Sequence, residues 1–301
     1  MTITAVILAD SISPAGKRIT TFQLRYPRFI HAELMTHRLF SRNASSSRAI
    51  PVKKMIEDLR RDPAMPVYWG SHQPGMQAGA ELTGINLKDA KNYWIDAMNL
   101  AIGEAEKLVE LGLHKQIANR ILEPWGHINV VVTATDYANF YALRCHKDAQ
   151  PEIKVLADLM QAAQAASEPI LLQPGEWHLP YITAQDWADM HKLRKIGRIT
   201  RDEPSYHEKA MQLVRISVAR CARVSYLTHD GRQTTLDEDM GLYERLVGGM
   251  PLHASPAEHQ ATPDSMYKAH RGDKWNFPRE HGNFTGWRQF RKMLPGEFTP
   301  G

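Results

Sequence analysis

The pattern of apolar and polar positions predicts strands near the start of the chain and one long helix further on. Residues 4–9 and 19–26 are rich in β-branched and aromatic side chains, as is typical of strands. Through residues 86–111, apolar side chains recur at helical spacing, beginning at Asn86, which can cap the helix, and ending at Gly112. The chain therefore combines helices and strands.

The same pattern leaves one stretch undecided between strand and helix and predicts several further helices. Residues 128–133 are apolar throughout and fit either a buried strand or the lead into a helix, because periodicity does not decide between them. The other predicted helices cover 115–122, about 136–145, about 149–166 with Asp148 as a possible N-cap, 206–224 after a Ser205–Glu208 capping box, and 236–247 after a Thr235–Glu238 capping box. Loops at 62–79, 169–180 and 250–264 mark no domain boundary. We predict one α+β domain with a helical middle at 86–166.

Composition limits the function classes. The chain has 301 residues, 43% of them hydrophobic, and a formal net charge of only +4, which suits a phosphate-bearing small ligand and does not require nucleic acid. It contains no apolar run near the ~20 residues that cross a membrane. Its two cysteines, Cys145 and Cys221, cannot form a disulfide framework. We therefore expect a cytoplasmic protein.

The stretch THRLFSRNASSSR, residues 36–48, concentrates positive charge. It holds three arginines and a histidine among four serines and an asparagine. Arginine forks, hydroxyls and backbone amides bind phosphate or the imide edge of a uracil-like base. A solvated basic loop is the alternative interpretation of the same residues.

Two other stretches contain residues that could carry chemistry. HASPAEH, residues 253–259, places two histidines and a glutamate together, but its spacing matches no standard zinc pattern, and we expect no metal. RCHKDAQ, residues 144–150, sets Cys145 between Arg144 and His146, which favours a low-pKa thiol; a buried helix residue is the alternative. The chain lacks both common nucleotide-binding patterns, GxxxxGK[ST] and GxGxxG.

The cationic stretch resembles the signature of the flavin-dependent thymidylate synthases. That signature reads Arg-His-Arg, two residues, Ser, one, Asn, two, Ser, one, Arg, and only Thr36 departs from it by replacing the first arginine. The matching residues are His37, Arg38, Ser41, Asn43, Ser46 and Arg48. Residues 118–124, 139–153 and 222–259 resemble three further segments of the same family. We call residues 21–50, which include this motif, the signature stretch.

The order of these segments differs from the family's order. The 222–259 segment, with its Ala-Arg-Val-Ser opening and Ser-Pro-Ala-Glu-His close, precedes the signature in the family but follows it here. The chain thus resembles a circular permutation, which folds tolerate when their termini lie close together. Residues 265–301 form a tail to which we assign no counterpart.

The resemblance implies a fold and an activity. The fold would be that of the thymidylate synthase complementing proteins in permuted order, a mixed or antiparallel sheet packed by helices, with residues 1–301 as a single catalytic domain. The activity would be C5 methylation of dUMP to dTMP, with methylenetetrahydrofolate as carbon donor and NADPH as reductant acting through FAD. The family forms homotetramers whose active sites are shared between subunits, and we expect no membrane or nucleic-acid partner.

Residue roles carry over by position. The residues expected to bind FAD are His37, Arg38, Leu39, Asn139, Leu143, Ser225, Ser255 and Glu258. The residues expected to bind dUMP are Glu33, Ser45, Ser46, Ser47, Arg48, Arg120 and Arg144, with Arg120 at the phosphate and Arg144 on the pyrimidine. We expect Arg144, Ser46 and His253 to be the residues closest to the chemistry.

Departures from the family leave alternatives open. Glu33 stands where the family usually has glutamine, Ala44 replaces a glutamate and Asp148 replaces a histidine. A carboxylate can accept a hydrogen bond from an exocyclic amine, so dCMP or a hydroxymethylated product is an alternative. CHKDAQ also resembles the cysteine-nucleophile motif of the folate-only thymidylate synthases. The basic and aromatic stretch 271–292 would suit a non-catalytic nucleic-acid-binding protein.

Overall fold

A five-stranded mixed sheet organises the molecule. The computed structural model describes residues 3–194, 206–224, 234–270 and 272–297. The strands of the sheet are β1 (Thr4–Ile12), β2 (Arg18–Pro27), β3 (Ser41–Ala44), β4 (His127–Ala134) and β5 (Ile170–Leu171). Their order is β3-β4-β2-β1-β5, with every pair antiparallel except β1 and β5. Both predicted strands are confirmed, and the ambiguous 128–133 stretch is the interior strand β4, between β3 and β2.

Helices cover both faces of this sheet and extend beyond it. They are α1 (His31–Leu34), α2 (Val52–Arg61), α3 (Gly84–Glu110), α4 (Lys115–Ala118), α5 (Ala138–Arg144), α6 (Pro151–Ala166), α7 (Ala184–Arg194), α8 (Tyr206–Arg223) and α9 (Leu236–Val247). The predicted helices are thus present, with α4 continuing as a 3₁₀ turn through Asn119–Trp125. Helices α1, α2 and α7 were not predicted. No described helix is long and apolar enough to span a membrane.

Two predicted helix caps are wrong and a third is confirmed. Helix α3 begins after Thr83, so Asn86 lies within the helix, and α6 begins after Gln150, which leaves Asp148 outside it. The Thr235–Glu238 capping box is present at α9. The Ser205 box lies outside the described residues. The apolar side chains that recur along α3 do not all lie on a buried face. Tyr93 is 71% exposed, because α2 and the 119–125 turn cover only one side of that helix.

The core follows the two-residue alternation of the strands. Val130 and Val132 of β4 face α6, where they pack with Leu156 and other buried side chains. Val131 points the other way, against Cys221 near the end of α8. One face of the sheet is therefore covered by α5 and α6 and the other by α8, which gives three layers around two apolar interfaces.

The C-terminal segment packs onto the start of the sheet. It contributes β6 (Ala261–Pro263) with β9 (Trp287–Gln289), and β7 (Met266–Ala269) with β8 (Gly272–Trp275). Trp287 is fully buried and its indole N–H donates to the carbonyl of Lys17 at 3.0 Å. Asn283 Nδ2 donates to the carbonyl of Leu39 at 2.7 Å. The tail is thus part of the fold and reaches the signature stretch.

Candidate active site

Arg144 is held by three residues of the signature region. Its Nε donates to His37 Nε2 at 3.0 Å, its Nη1 donates to Glu33 Oε2 at 3.3 Å, and its Nη2 donates to Thr36 Oγ1 at 3.4 Å. Arg144 is the last residue of α5, whereas its partners lie in and just after α1. The fold therefore joins two predicted site segments on one partly exposed guanidinium, 21% of whose side-chain surface is accessible.

His37 is placed to accept that bond as a neutral imidazole. Burial lowers its pKa below the ordinary range, and the cations Arg144 and Arg42 lower it further. A neutral ring can carry its proton on Nδ1 and present a lone pair at Nε2. The ring also meets the edge of Phe140, with centroids 4.8 Å apart, and stacks at 5.8 Å on Phe40.

Strand β3 carries the second half of the signature and contacts the 253–259 segment. The side-chain amide of Asn43 lies 3.0 Å from His259 Nε2. It contacts Ser255 in either amide orientation, through Oγ at 3.4 Å or through the backbone carbonyl at 3.1 Å. These contacts bring together residues more than 200 positions apart in the sequence.

A chain of buried hydrogen bonds continues from His259 across the sheet. His259 Nδ1 lies 2.8 Å from Thr133 Oγ1, which lies 2.7 Å from Thr21 Oγ1. Thr21 Oγ1 is 2.8 Å from His178 Nε2, and His178 Nδ1 is 2.9 Å from Ser11 Oγ. Burial lowers the pKa of each histidine to about 3, so both are neutral at physiological pH. This series of hydrogen bonds crosses β4, β2 and β1, with Asn43 at one end and Ser11 at the other.

Glu258 faces two arginines. It forms an ion pair with Arg291 of the tail, which also binds Glu297 at 3.1 Å. Burial lowers the pKa of Arg42, and the negative charge of Glu258 partly opposes that shift. Arg42 in turn donates to the carbonyls of Met35 at 2.9 Å and His37 at 3.1 Å, which shapes the turn before β3.

The serine-rich end of the signature lies at the other end of β3. Ser45 Oγ accepts from the backbone N–H of Asn129 at 3.1 Å. Ser47 is buried and donates to Glu123 Oε1 at 2.5 Å. Arg120 Nη1 donates to the same oxygen at 2.9 Å. Two residues predicted to bind dUMP, Ser47 and Arg120, therefore meet on one carboxylate oxygen.

Comparison with known proteins identifies the family. A family model described as thymidylate synthase complementing protein matches residues 6–170, which is more than half of the chain. The chain belongs to this family. The match begins within β1 and ends within β5, includes the signature, Arg120 and Arg144, and stops before the 222–259 segment.

Solved structures and curated proteins give less. The chain is similar to two crystal structures of the UMP/dUMP methylase PolB from Streptomyces cacaoi, one bound with 5-Br dUMP and one with 5-Br UMP. Identity is 20% in both cases, with TM-scores of 0.45 and 0.44, and each alignment covers 55% of this chain and 90% or 89% of that chain. No curated protein matches significantly.

Most of the remaining predicted site residues of this thymidylate synthase complementing protein family member lie on its surface. Those on the surface are Arg38, Leu39, Arg48, Arg120, Asn139, Leu143, His253 and Ser255, while Ser46 is half-buried. The 253–259 segment contacts Arg42 and Asn43, a few residues beyond His37 and Arg38, and the backbone N–H of His253 donates to the carbonyl of Leu246 at 2.9 Å. Ser225 lies outside the described residues.

The cysteine expectation is not met. Burial raises the pKa of the Cys145 thiol, and a hydrogen bond with the Asp158 carboxylate raises it further. The neighbouring Arg144 directs its guanidinium toward Glu33 and His37 instead. The structure therefore provides no low-pKa thiol at this position, and the alternative of a buried helix residue is not met either, because Cys145 is half-buried and caps the end of α5.

Several residues of the site were not among those predicted. Asn43 and His259 lie within the recognised motifs, so the motifs themselves were the signal. Glu123 likewise lies in the recognised segment 118–124. Arg291 of the tail carries no sequence signal, because lone charged residues in tails are common on any surface.

Proposed function

We propose that this protein is a cytoplasmic flavin-dependent thymidylate synthase that methylates C5 of dUMP. It would take the carbon from methylenetetrahydrofolate and the reducing equivalents from NADPH, with FAD as bound cofactor. The observation that carries this proposal is the convergence of Glu33, Thr36 and His37 on Arg144, added to the family membership. The PolB methylase, described as bound with brominated pyrimidine nucleotides, is consistent with the substrate class.

The donor set fits a flavin dinucleotide. A pyrophosphate-bearing ligand needs cations and neutral donors, and an isoalloxazine ring needs amide and hydroxyl partners. Arg38, Asn139 and Ser255 are exposed, and Ser255 is fixed beside Asn43. These residues, with His37, Leu39, Leu143, Ser225 and Glu258, would hold FAD. When bound and reduced by NADPH, the flavin would supply the hydride that converts the transferred one-carbon unit to a methyl group.

Arg144 would act on the pyrimidine. Carbon 5 of uracil is a weak nucleophile, and it becomes a better one when the ring takes on an enolate-like form with negative charge on its carbonyl oxygen. A fixed guanidinium stabilises that charge without transferring a proton. The bonds to His37 and Glu33 orient Arg144 before substrate arrives, which lowers the cost of reorganisation. Ser46 and His253 would complete the site.

Glu33 favours a second candidate substrate. Its carboxylate lies on Arg144, beside the proposed base position. A carboxylate accepts hydrogen bonds, and it can therefore receive the exocyclic amine of cytosine as well as the N3–H of uracil. Methylation or hydroxymethylation of dCMP is accordingly the alternative to dTMP synthesis. Comparing turnover of dUMP, UMP and dCMP by the wild-type protein and by Glu33→Gln decides between them.

The proposal is tested by flavin uptake and tritium release. The purified protein should bind FAD at micromolar concentration with a flavin absorption spectrum. It should release tritium from C5-labelled dUMP only when NADPH and methylenetetrahydrofolate are both present. Arg38→Ala should weaken FAD more than dUMP, with the exposed, remote Arg60→Ala as control. A colourless protein that takes up no FAD would rule out the proposal.

A further inference from the structure

One carboxylate oxygen of Glu123 is surrounded by three donors. Oε1 accepts from Ser47 Oγ at 2.5 Å and from Arg120 Nη1 at 2.9 Å, and it lies 3.1 Å from Arg28 Nη2. Ser47 is buried, the Arg28 and Glu123 side chains are 20% and 21% exposed, and that of Arg120 is 49% exposed. The cluster is therefore ordered but reachable from solvent on the Arg120 side.

The surrounding backbone fixes these donors in place. Asn119 Nδ2 donates to the carbonyls of Ser47 at 2.7 Å and Ile50 at 2.9 Å, while its Oδ1 is buried without a hydrogen-bond partner. The backbone N–H of Arg28 donates to the carbonyl of Gly126 at 2.9 Å, three residues after Glu123. Ser47 and the backbone of Arg28 are therefore held in place by contacts other than those to Glu123.

The donor chemistry is that of a phosphate site. Two guanidinium groups and a hydroxyl directed at one point match the several oxygens of a phosphate monoester better than they match a single carboxylate oxygen. The two cations and one anion leave a net charge of +1 in the cluster. A dianionic phosphate that displaced Glu123 would find two positive charges already gathered.

We propose that Arg28 is a second phosphate-binding cation, and that Glu123 occupies the phosphate position until the nucleotide displaces it. The inference rests on the proposed function for the identity of the nucleotide, and on the Glu123 contacts for the site itself. Glu123 acts here as a positioning residue: it holds Arg28 and Arg120 together in the free protein and sets a threshold that only a doubly charged phosphate group overcomes. The unphosphorylated nucleoside gains nothing from the cluster.

Calorimetric titration with dUMP and with deoxyuridine tests the proposal on the same protein. Arg28→Ala should weaken dUMP binding about 10- to 100-fold, the loss expected for a charge-assisted bond, and leave deoxyuridine binding within about twofold. Arg28→Lys should recover part of the dUMP affinity. Glu123→Gln removes the competing charge and should tighten dUMP several-fold. Inorganic phosphate should compete with dUMP in the wild type and compete less in Arg28→Ala.

Arg25→Ala is the matched control. Arg25 lies three residues before Arg28, has 28% of its side chain exposed and pairs with Asp62 at 2.8 Å. A similar loss of dUMP affinity in Arg25→Ala would indicate general electrostatics and overturn the proposal. Equal losses for dUMP and deoxyuridine in Arg28→Ala would also overturn it, as would weaker dUMP binding in Glu123→Gln. Thermal unfolding confirms that each variant is folded. If Arg28→Ala does not fold, the dUMP affinities of Arg28→Lys and Glu123→Gln test the proposal instead.

The two proposals can fail separately. Flavin-dependent methylation with unchanged dUMP affinity in Arg28→Ala would refute the phosphate site and leave the proposed function intact. Arg28-dependent binding of UMP, dCMP or inorganic phosphate by a protein without flavin-dependent turnover would refute the proposed function and leave the phosphate site intact. Binding without any dependence on the phosphate group overturns the inference.

Discussion

Arg144 joins parts of the chain that are more than 100 residues apart in sequence. Its bond to His37 spans 107 positions, and its bond to Glu33 spans 111. The motifs around Arg144 and around Glu33 and His37 predicted that each of these residues belongs to a site, but not that they touch. Direct contact matters for function, because an arginine with two anchored bonds presents its remaining N–H groups in one direction.

Replacing Arg144 should reduce turnover more than binding. Arg144→Ala should lower kcat for C5 methylation by at least ~10²-fold, the usual cost of removing one donor that stabilises transition-state charge. Arg144→Lys keeps the charge but loses the fork, so it should recover only part of that loss. Single-turnover kinetics at saturating dUMP and FAD measure the effect. A KM change with unchanged kcat would place Arg144 in ground-state binding alone.

Cys145, next in sequence, should be dispensable. Burial and Asp158 raise its pKa, so little thiolate is available to attack a pyrimidine ring near neutral pH. Cys145→Ala should therefore keep flavin-dependent tritium release within a few-fold of wild type. Circular dichroism verifies that the variant is folded. Complete loss of activity in a folded Cys145→Ala protein would favour the cysteine-nucleophile mechanism instead.

At the scale of the elements, the strands were predictable and the hydrogen bonds between their polar side chains were not. Enrichment in β-branched and aromatic residues identified β1 and β2, and the apolar stretch 128–133 became β4 because helices cover both of its faces. The same pattern gave no reason to expect Thr21 opposite Thr133, or His178 and His259 at either end of that pair. Register between distant segments determines this chain of hydrogen bonds, and local sequence does not encode it.

The two buried histidines should make stability depend on pH. Both have a folded-state pKa of about 3, well below their ordinary value of 6.5, because burial disfavours the charged ring. Between these values the unfolded chain binds protons that the folded chain does not. Stability is therefore fully present above about pH 6.5 and falls as the pH decreases toward 3, at up to ~1.4 kcal/mol per histidine per pH unit.

Urea unfolding between pH 7 and 5, at fixed protein concentration, measures that slope. His259→Gln keeps a hydrogen-bonding side chain without a titrating group, so it should reduce the slope by the share of one histidine, up to ~1.4 kcal/mol per pH unit. The exposed His253→Gln should leave the slope unchanged and is the control. A wild-type protein whose unfolding midpoint is constant over this range would contradict neutral burial of the pair.

At the scale of the whole molecule, the two predicted nucleotide-binding groups lie toward opposite ends of β3 and β4. Ser41 pairs with Thr133 near the Arg144 end, whereas Ser45 binds Asn129 near the Arg120 end. Four strand residues separate these points, or ~14 Å, before the flanking turns are added. The homotetramer with shared sites, which the family resemblance implies, stays a prediction. We expect Arg120 and Arg144 of one site to come from different copies in it.

The C-terminal segments of the chain lie against the signature stretch. The family match ends at residue 170, yet Ser255 and His259 contact Asn43 of the signature, as expected if the 222–259 segment has been moved to the end of the chain. The permuted order stays a prediction, together with the single-domain assignment. The tail, which had no assigned counterpart, adds contacts to Ser41 and Glu258. Local patterns could not place it, because its short strands are defined by their partners.

Mixing two inactive variants tests the shared site. If each site takes Arg144 from one copy and Arg120 from another, neither Arg144→Ala nor Arg120→Ala forms a complete site alone. A hybrid assembly made by joint refolding or coexpression at equal ratio should recover about one quarter of the wild-type activity, since each site then has an even chance at both positions. Arg120→Ala mixed with the Arg120→Ala/Arg144→Ala double variant is the control and should recover none. Sedimentation equilibrium should give a tetramer for every sample. An active monomer, or hybrids that stay inactive while exchanging subunits, would show that one chain completes the site by itself.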